Sequence, residues 1–271
     1  MIFDVSGKSV FATTGGKAFD RSKPVVVFLS GSGLDHTFWA LHSRFFAFRN
    51  YSVLALDTPG HTNSHGPELT TIEALADWVN DVVVSLHADN VSVVGHSQGV
   101  LVALEYVSRY PDKVRSASFI ASGIAIPVNP GLIEAAEKNP ESAVAMMNSW
   151  GFGEAGHLYQ GPIPGNSMIG AGIKVMQRNS ASALAIVLKA CNASKNGAEA
   201  AAAVRRPQQV ILAGQDRMTP RKSGMKLVEA LSDPEFHLIE KSGHMLPLEA
   251  PDECRLLLRN FIFANNPATS T

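Results

Sequence analysis

Val91-Ser92-Val93-Val94-Gly95-His96-Ser97-Gln98-Gly99 is the stretch on which the fold turns. An apolar, β-branched run enters a G-x-S-x-G string, and a helical pattern, Gly99–Tyr110, leaves it. Strand, sharp turn and helix form the context in which this string carries mechanism. The chain must reverse at the apex, so the residue there takes a strained backbone conformation. Side chains two positions either side would collide, which favours glycine at both. The Ser97 hydroxyl then points into open space, and the helix aims its first amides at the same spot. The string alone is weak. Gly165-Asn166-Ser167 begins in the same way, but Ile169 stands at the second glycine position and no strand precedes it.

Further strands follow from the same texture. Val25–Leu29, Val53–Leu56, Ala117–Ala121 and Val210–Leu212 are short apolar runs, with Phe236–Ile239 a weaker one. Such runs mark strands buried on both faces. Ile2–Val5 and Val10–Thr13 flank Ser6-Gly7-Lys8 as a hairpin. Helical patterns lie between: Phe38–Phe48, Ile72–Leu86, Ser223–Leu231 and Glu249–Phe263. Alternating strands and helices predict an α/β fold, a mostly parallel doubly wound sheet flanked by helices. Residues 124–206 break the rhythm. They hold helical pieces (Pro130–Lys138, Glu141–Asn148, Met168–Arg178, Ala181–Cys191, Ala198–Val204) between Gly/Pro-rich loops and no clear strand. A plain crossover needs only a dozen or so residues. The expected organisation is a core in two parts, 1–123 and 207–271, with 124–206 inserted as a helical cap over the sheet's carboxyl edge. A second independent domain is the alternative, though short helices over ~80 residues make a thin core of their own.

With 271 residues, 45% hydrophobic and 17% charged, the chain can bury a sizeable core. A net charge of -1 argues against nucleic acid or an anionic membrane as partner. No run approaches the ~20 apolar residues of a membrane helix, and residues 1–10 do not read as a signal peptide. Cys191 and Cys254 lie far apart without metal-ligand company. A reduced, cytoplasmic setting is expected. The polar tail, residues 265–271, reads as frayed.

A serine hydroxyl needs a base, and the base needs an orienting group. His244, in Ser242-Gly243-His244-Met245, follows the last expected strand. Loops at the carboxyl ends of strands in an open α/β sheet share one crevice, so His244 can meet Ser97. The favoured acid is Asp216, in Gly214-Gln215-Asp216-Arg217-Met218-Thr219-Pro220, also just after a strand. Asp233 sits before a strand, and Glu240 is only four residues from His244; both are rivals. Donors for an oxyanion are expected from the Gln98 amide and from the loop Ser30-Gly31-Ser32-Gly33, with Ser32 preferred and Gly33 as alternative.

Ser30-Gly31-Ser32-Gly33 with Trp39 beyond it, Asp57-Thr58-Pro59-Gly60-His61, the Ser97 turn, Gly214-Gln215-Asp216 and Gly243-His244 together resemble the α/β-hydrolase superfamily. The resemblance spans nearly the whole chain outside 124–206. It implies Ser97 as nucleophile, Asp216 as acid, His244 as base, a cap over the site and no cofactor or metal. The family usually carries histidine where Ser30 stands, which touches the geometry of the oxyanion loop. Asp57 and His61 lie in a loop that the family uses structurally. His36 and Phe38 are candidate substrate contacts because their loop rims the crevice, as are Met146, Trp150, Met218 and Met245. The cap's methionines and aromatics (Met147, Met168, Met176, Phe152, Tyr159 among them) either wall the pocket or fasten the cap. No charged cluster in the cap points to an anionic substrate. The expected activity is hydrolysis of small to medium apolar carboxylic esters through an acyl-enzyme. A carbon–carbon hydrolase, an acyltransferase or thioesterase, and a non-enzymatic binding protein are the competing readings. A homodimer is left open.

Overall fold

A computed structural model describes residues 1–158, 161–162, 164–180 and 182–268; Tyr159 and Ala181 lie outside them. Among the described residues eight strands form one sheet: β1 (Ile2–Val5), β2 (Lys8–Thr13), β3 (Val25–Leu29), β4 (Ser52–Leu56), β5 (Val91–His96), β6 (Val114–Ile120), β7 (Gln208–Ala213) and β8 (Glu235–Ile239). Their spatial order is β1-β2-β4-β3-β5-β6-β7-β8. β1 and β2 pair antiparallel, β2 meets β4 antiparallel, and every later pairing is parallel. β3 sits between β4 and β5, so the chain order reverses direction there. Crevices for ligands form at the carboxyl ends of strands at such a switch point.

β3 shows why the run is continuously apolar. Val25, Val27 and Leu29 join the core on one face, and Val26 and Phe28 join that on the other. Alternate side chains point to opposite faces, so a strand covered on both favours apolar side chains along its length. The first face packs on α2 (Ile72–Ser85) and α3 (Gln98–Arg109). The other packs on α1 (Ala40–Ala47) and, from the end of the chain, the two helices Leu246–Glu249 and Pro251–Asn265.

Between β6 and β7 lie α4 (Pro130–Lys138), α5 (Pro140–Gly151), α6 (Glu154–His157), α7 (Met168–Met176), α8 (Ala183–Ala193) and α9 (Gly197–Ala203). Leu132, Ala143, Met147, Met168, Met176, Leu184 and Leu188 from this stretch share one apolar cluster with the second face of the sheet. α10 (Arg221–Ala230) follows β7, and the two closing helices are α11 and α12. They replace the single expected helix Glu249–Phe263. Pro251 has no N–H to continue the ladder and restricts Ala250 before it, so one helix ends and another starts. The expected helix Phe38–Phe48 likewise opens as a 3-10 turn, His36–Trp39, capped by Asp35. The tail is pinned rather than frayed as far as Ala268. Asn266 donates to Asn90 O and Ser92 Oγ, and Tyr51 OH donates to Asn266 O. Residues 269–271 lie outside the described residues.

His42 on α1 is fully buried edge-on against Trp39, and neither ring nitrogen has a partner among the described residues. Burial lowers its pKa to about 3, and does the same for His96. An unfolded histidine takes its proton near pH 6.5. Stability from a depressed folded pKa is therefore complete above about pH 6.5 and is lost as pH falls toward 3. Each such histidine is expected to remove about 1 kcal/mol per pH unit over that window. Urea unfolding of His42→Phe at pH 7, 5 and 4 should show a shallower loss than the natural chain. Parallel curves would mean that His42 is protonated in the native state.

Candidate active site

Ser97 stands between β5 and α3 at φ 54°, ψ -119°. A non-glycine residue in this region is strained and persists only where its surroundings over-determine it. They do so here. A Cβ on Gly95 would lie 2.3 Å from Gly99 O, and one on Gly99 would lie 2.3 Å from Leu29 O. The Ser97 amide donates to Ile120 O at 3.0 Å. Gln98 N, the first helical amide, has no intrahelical acceptor.

The loop after β3 abuts this turn. A Cβ on Gly31 would lie 3.0 Å from Ser97 Cβ. Ser32 N donates to no acceptor among the described residues, while the Ser32 hydroxyl donates to Gln98 Oε1 at 3.3 Å. The Gly33 carbonyl is held by Asn179 Nδ2 at 2.9 Å. Ser30, where a histidine was the family expectation, closes the loop by donating to Asp35 O at 3.2 Å. Asp35 in turn accepts from Thr37 N and pairs with Arg178.

His244 Nδ1 lies 2.8 Å from Asp216 Oδ2, with both side chains almost wholly buried. Asp216 Oδ1 accepts the Met218 and Thr219 amides, each at 2.8 Å, and Thr219 Oγ1 lies 2.8 Å from Oδ2. Burial pushes the Asp216 pKa up, but the His244 charge and the bonds from His244 and Thr219 outweigh it, so the carboxyl stays below its ordinary range. Asp233 and Glu240 are exposed, and Glu240 faces Arg221 at 4.0 Å. Neither contacts His244.

Ser97 and His244 line one narrow cavity of about 10 Å3, with Gly31, Ser32, His96 and Met245 around it. No hydrogen bond joins Ser97 Oγ to the imidazole among the described residues. Such bonds are often long before substrate binds. His96 buttresses the arrangement from beneath: its Nε2 lies 2.8 Å from His244 O.

A larger cavity of about 500 Å3 opens beside Ser97 and Ser32. Its walls come from Ile126–Asn129, Leu132, Met147, Trp150, Leu188 and Cys191, closed by Arg217, Met218 and Thr219. Trp150 and Met218 thus line it, and Met245 lines the narrow cavity. The other three expected substrate contacts line neither. His36 is held by Asp57, with Nδ1 2.9 Å from Oδ1 and the His36 amide donating to the same oxygen. Phe38 is buried between Trp39 and His96. Met146 packs on the apolar core, while its neighbour Met147 reaches the cavity. Met168 and Met176 are buried in the apolar cluster and line neither cavity.

Asp35, His36 and Asp57 bring three ligand-type atoms within 4.8 Å of one another. Their oxygens are already engaged by Arg178, Thr37, His36 and Asn63, which fits a structural clasp. His61 is buried beside it, its Nδ1 3.1 Å from Pro59 O. Cys191 and Cys254 are free and buried. Burial pushes the Cys191 thiol up to about 12, so it presents no thiolate to the cavity.

Sequence reasoning missed Thr219 and Glu249. Thr219 had a signal: an aspartate readily accepts amides two and three residues on. Glu249 had none. Its carboxylate accepts Gly153 N at 2.8 Å and Gly243 N at 3.1 Å, tying the start of α6 to the His244 loop.

The sheet order, the strained turn and the His–Asp pair define a hydrolase-type α/β architecture. The chain belongs to the alpha/beta hydrolase family, which matches residues 26–255. Protein ABHD8 of Mus musculus is 25% identical over 248 residues, 88% of this chain and 55% of that protein. The chain spans about half the length of these curated relatives. A Pseudomonas 2-hydroxy-6-oxononadienedioate/2-hydroxy-6-oxononatrienedioate hydrolase is 25% identical over 255 residues, covering 88% of this chain and 87% of the relative. The crystal structure of the enol-lactonase from Burkholderia xenovorans LB400 matches with a TM-score of 0.85 at 19% identity, over 97% of this chain and 99% of that one. That likeness is one of fold. No described helix is long and apolar enough to cross a membrane.

Proposed function

We propose that the protein hydrolyses carboxylic esters by nucleophilic catalysis at Ser97. The observation that carries this reading is the strained serine at the switch point of the sheet, sharing a cavity with His244, whose imidazole pairs with the buried Asp216. His244 Nε2 takes the Ser97 proton as Oγ attacks the ester carbonyl. Asp216 holds Nδ1–H, so that Nε2 is the free acceptor, and stabilises the imidazolium. The carbonyl oxygen, now negative, rests on the Ser32 and Gln98 amides. The ester C–O bond breaks and the alcohol leaves with the proton from His244. Water then adds to the acyl-serine, giving its proton to His244, and the carboxylic acid leaves as Ser97 Oγ regains it. The apolar walls of the larger cavity favour a small to medium apolar body for the substrate.

The alternative is a carbon–carbon hydrolase of the meta-cleavage-product type, using the same residues; the Pseudomonas relative is a named hydrolase of oxo-dienedioates. Turnover of 4-nitrophenyl butyrate should exceed that of a vinylogous diketone by at least tenfold in kcat/KM. The reverse order would favour the alternative. Transfer of the acyl group to added alcohol or thiol in preference to water would make the protein an acyltransferase instead.

A further inference from the structure

Arg217 stands out among the residues around the larger cavity. Among the described residues it is the one cation on that wall, with mainly apolar neighbours. It makes no ion pair or hydrogen bond among the described residues, unlike Arg178, which pairs with Asp35, and Arg221, which faces Glu240. Its neighbour in sequence, Asp216, is turned inward to His244. Glu154 shares an outer cavity with Arg217 but forms no ion pair with it. Asn129, on the same wall, spends its Oδ1 on the Gly131 amide, which leaves its Nδ2 donors free of any protein acceptor among the described residues. Unpaired donors on a mainly apolar cavity wall are groups awaiting an acceptor, and a guanidinium matches a carboxylate in a two-pronged geometry.

We propose that Arg217 anchors a carboxylate on the substrate, several atoms from the scissile bond, so that the preferred esters are half-esters of dicarboxylic acids or esters of hydroxy acids. The inference rests on the reading of the site as an ester hydrolase and narrows its substrate class. The charge comes from the loop after β7, outside residues 124–206. An exposed guanidinium is screened by water, which keeps the expected gain modest.

Two matched pairs test it: mono-4-nitrophenyl suberate against 4-nitrophenyl octanoate, and 7-carboxyheptyl butyrate against octyl butyrate. In at least one pair the natural chain should favour the charged ester by about tenfold in kcat/KM. Arg217→Met should bring that ratio down about tenfold, and Arg217→Lys should retain part of it. A ratio near one in both pairs, or a ratio that Arg217→Met leaves within twofold, overturns the anchor. If neither ester of either pair is turned over, the hydrolase reading fails. The anchor is then judged by calorimetry on Ser97→Ala: tighter binding of the charged partner, lost with Arg217→Met in the same background, supports it, and equal affinity overturns it.

Discussion

Ser97→Ala is expected to abolish ester turnover, with kcat falling on the order of 10^6-fold, because the nucleophile and its base act as a unit. Only the oxygen proposed to bond the acyl group is removed. The hydroxyl has no hydrogen-bond partner among the described residues, so no protein contact is lost. The backbone that strains the turn is set by Gly95, Gly99 and the Ser97–Ile120 bond, all of which survive. The melting temperature should therefore move by no more than about 2 °C. Stopped assays of 4-nitrophenyl butyrate on purified variant, alongside thermal melts, measure both. Turnover within tenfold of the natural chain would remove Ser97 from the chemistry.

Asp216→Asn is the second large effect, about 10^4-fold in kcat. An asparagine oxygen still accepts the Met218 and Thr219 amides, so the loop keeps its shape. Its NH2 then faces His244 Nδ1 across the 2.8 Å contact. Two donors cannot share that contact, so Nδ1 must become the acceptor and Nε2 carries the proton. An imidazole in that tautomer has no lone pair for the Ser97 proton. Single-turnover rates across pH 6–9 separate this from simple damage. A loss under about tenfold would shift the acid's role elsewhere, though Asp233 and Glu240 are poorly placed to take it.

Much of the sheet was legible because burial on both faces leaves a plain imprint: short apolar, β-branched runs. The observed strands depart from those runs mainly at their starts, as where β2 opens at Lys8 instead of Val10. Helix ends were harder. Pro251 split one expected helix, and Asp35 wound the approach to α1 into a 3-10 turn. The tail looked polar and loose, yet Asn266 finds Asn90 and Ser92, residues about 175 positions away, which no local pattern announces.

The site divides along the same line. Ser97 was marked by local backbone demands, two glycines where side chains would strike Gly99 O and Leu29 O. Asp216 and His244 were marked by following strands, since strand ends in a parallel sheet converge. Those signals are local, and the chain carries them in short windows. The cavity wall is not local. Ile126, Met147, Leu188 and Arg217 come from four separate segments, and adjacent side chains can part ways: Met218 shares the cavity with Arg217, while Asp216 turns to His244. Which of two adjacent side chains faces a substrate depends on the rotation of packed helices, set by contacts between distant segments. Composition announced that apolar residues were available; packing alone decided which of the core residues also face the cavity.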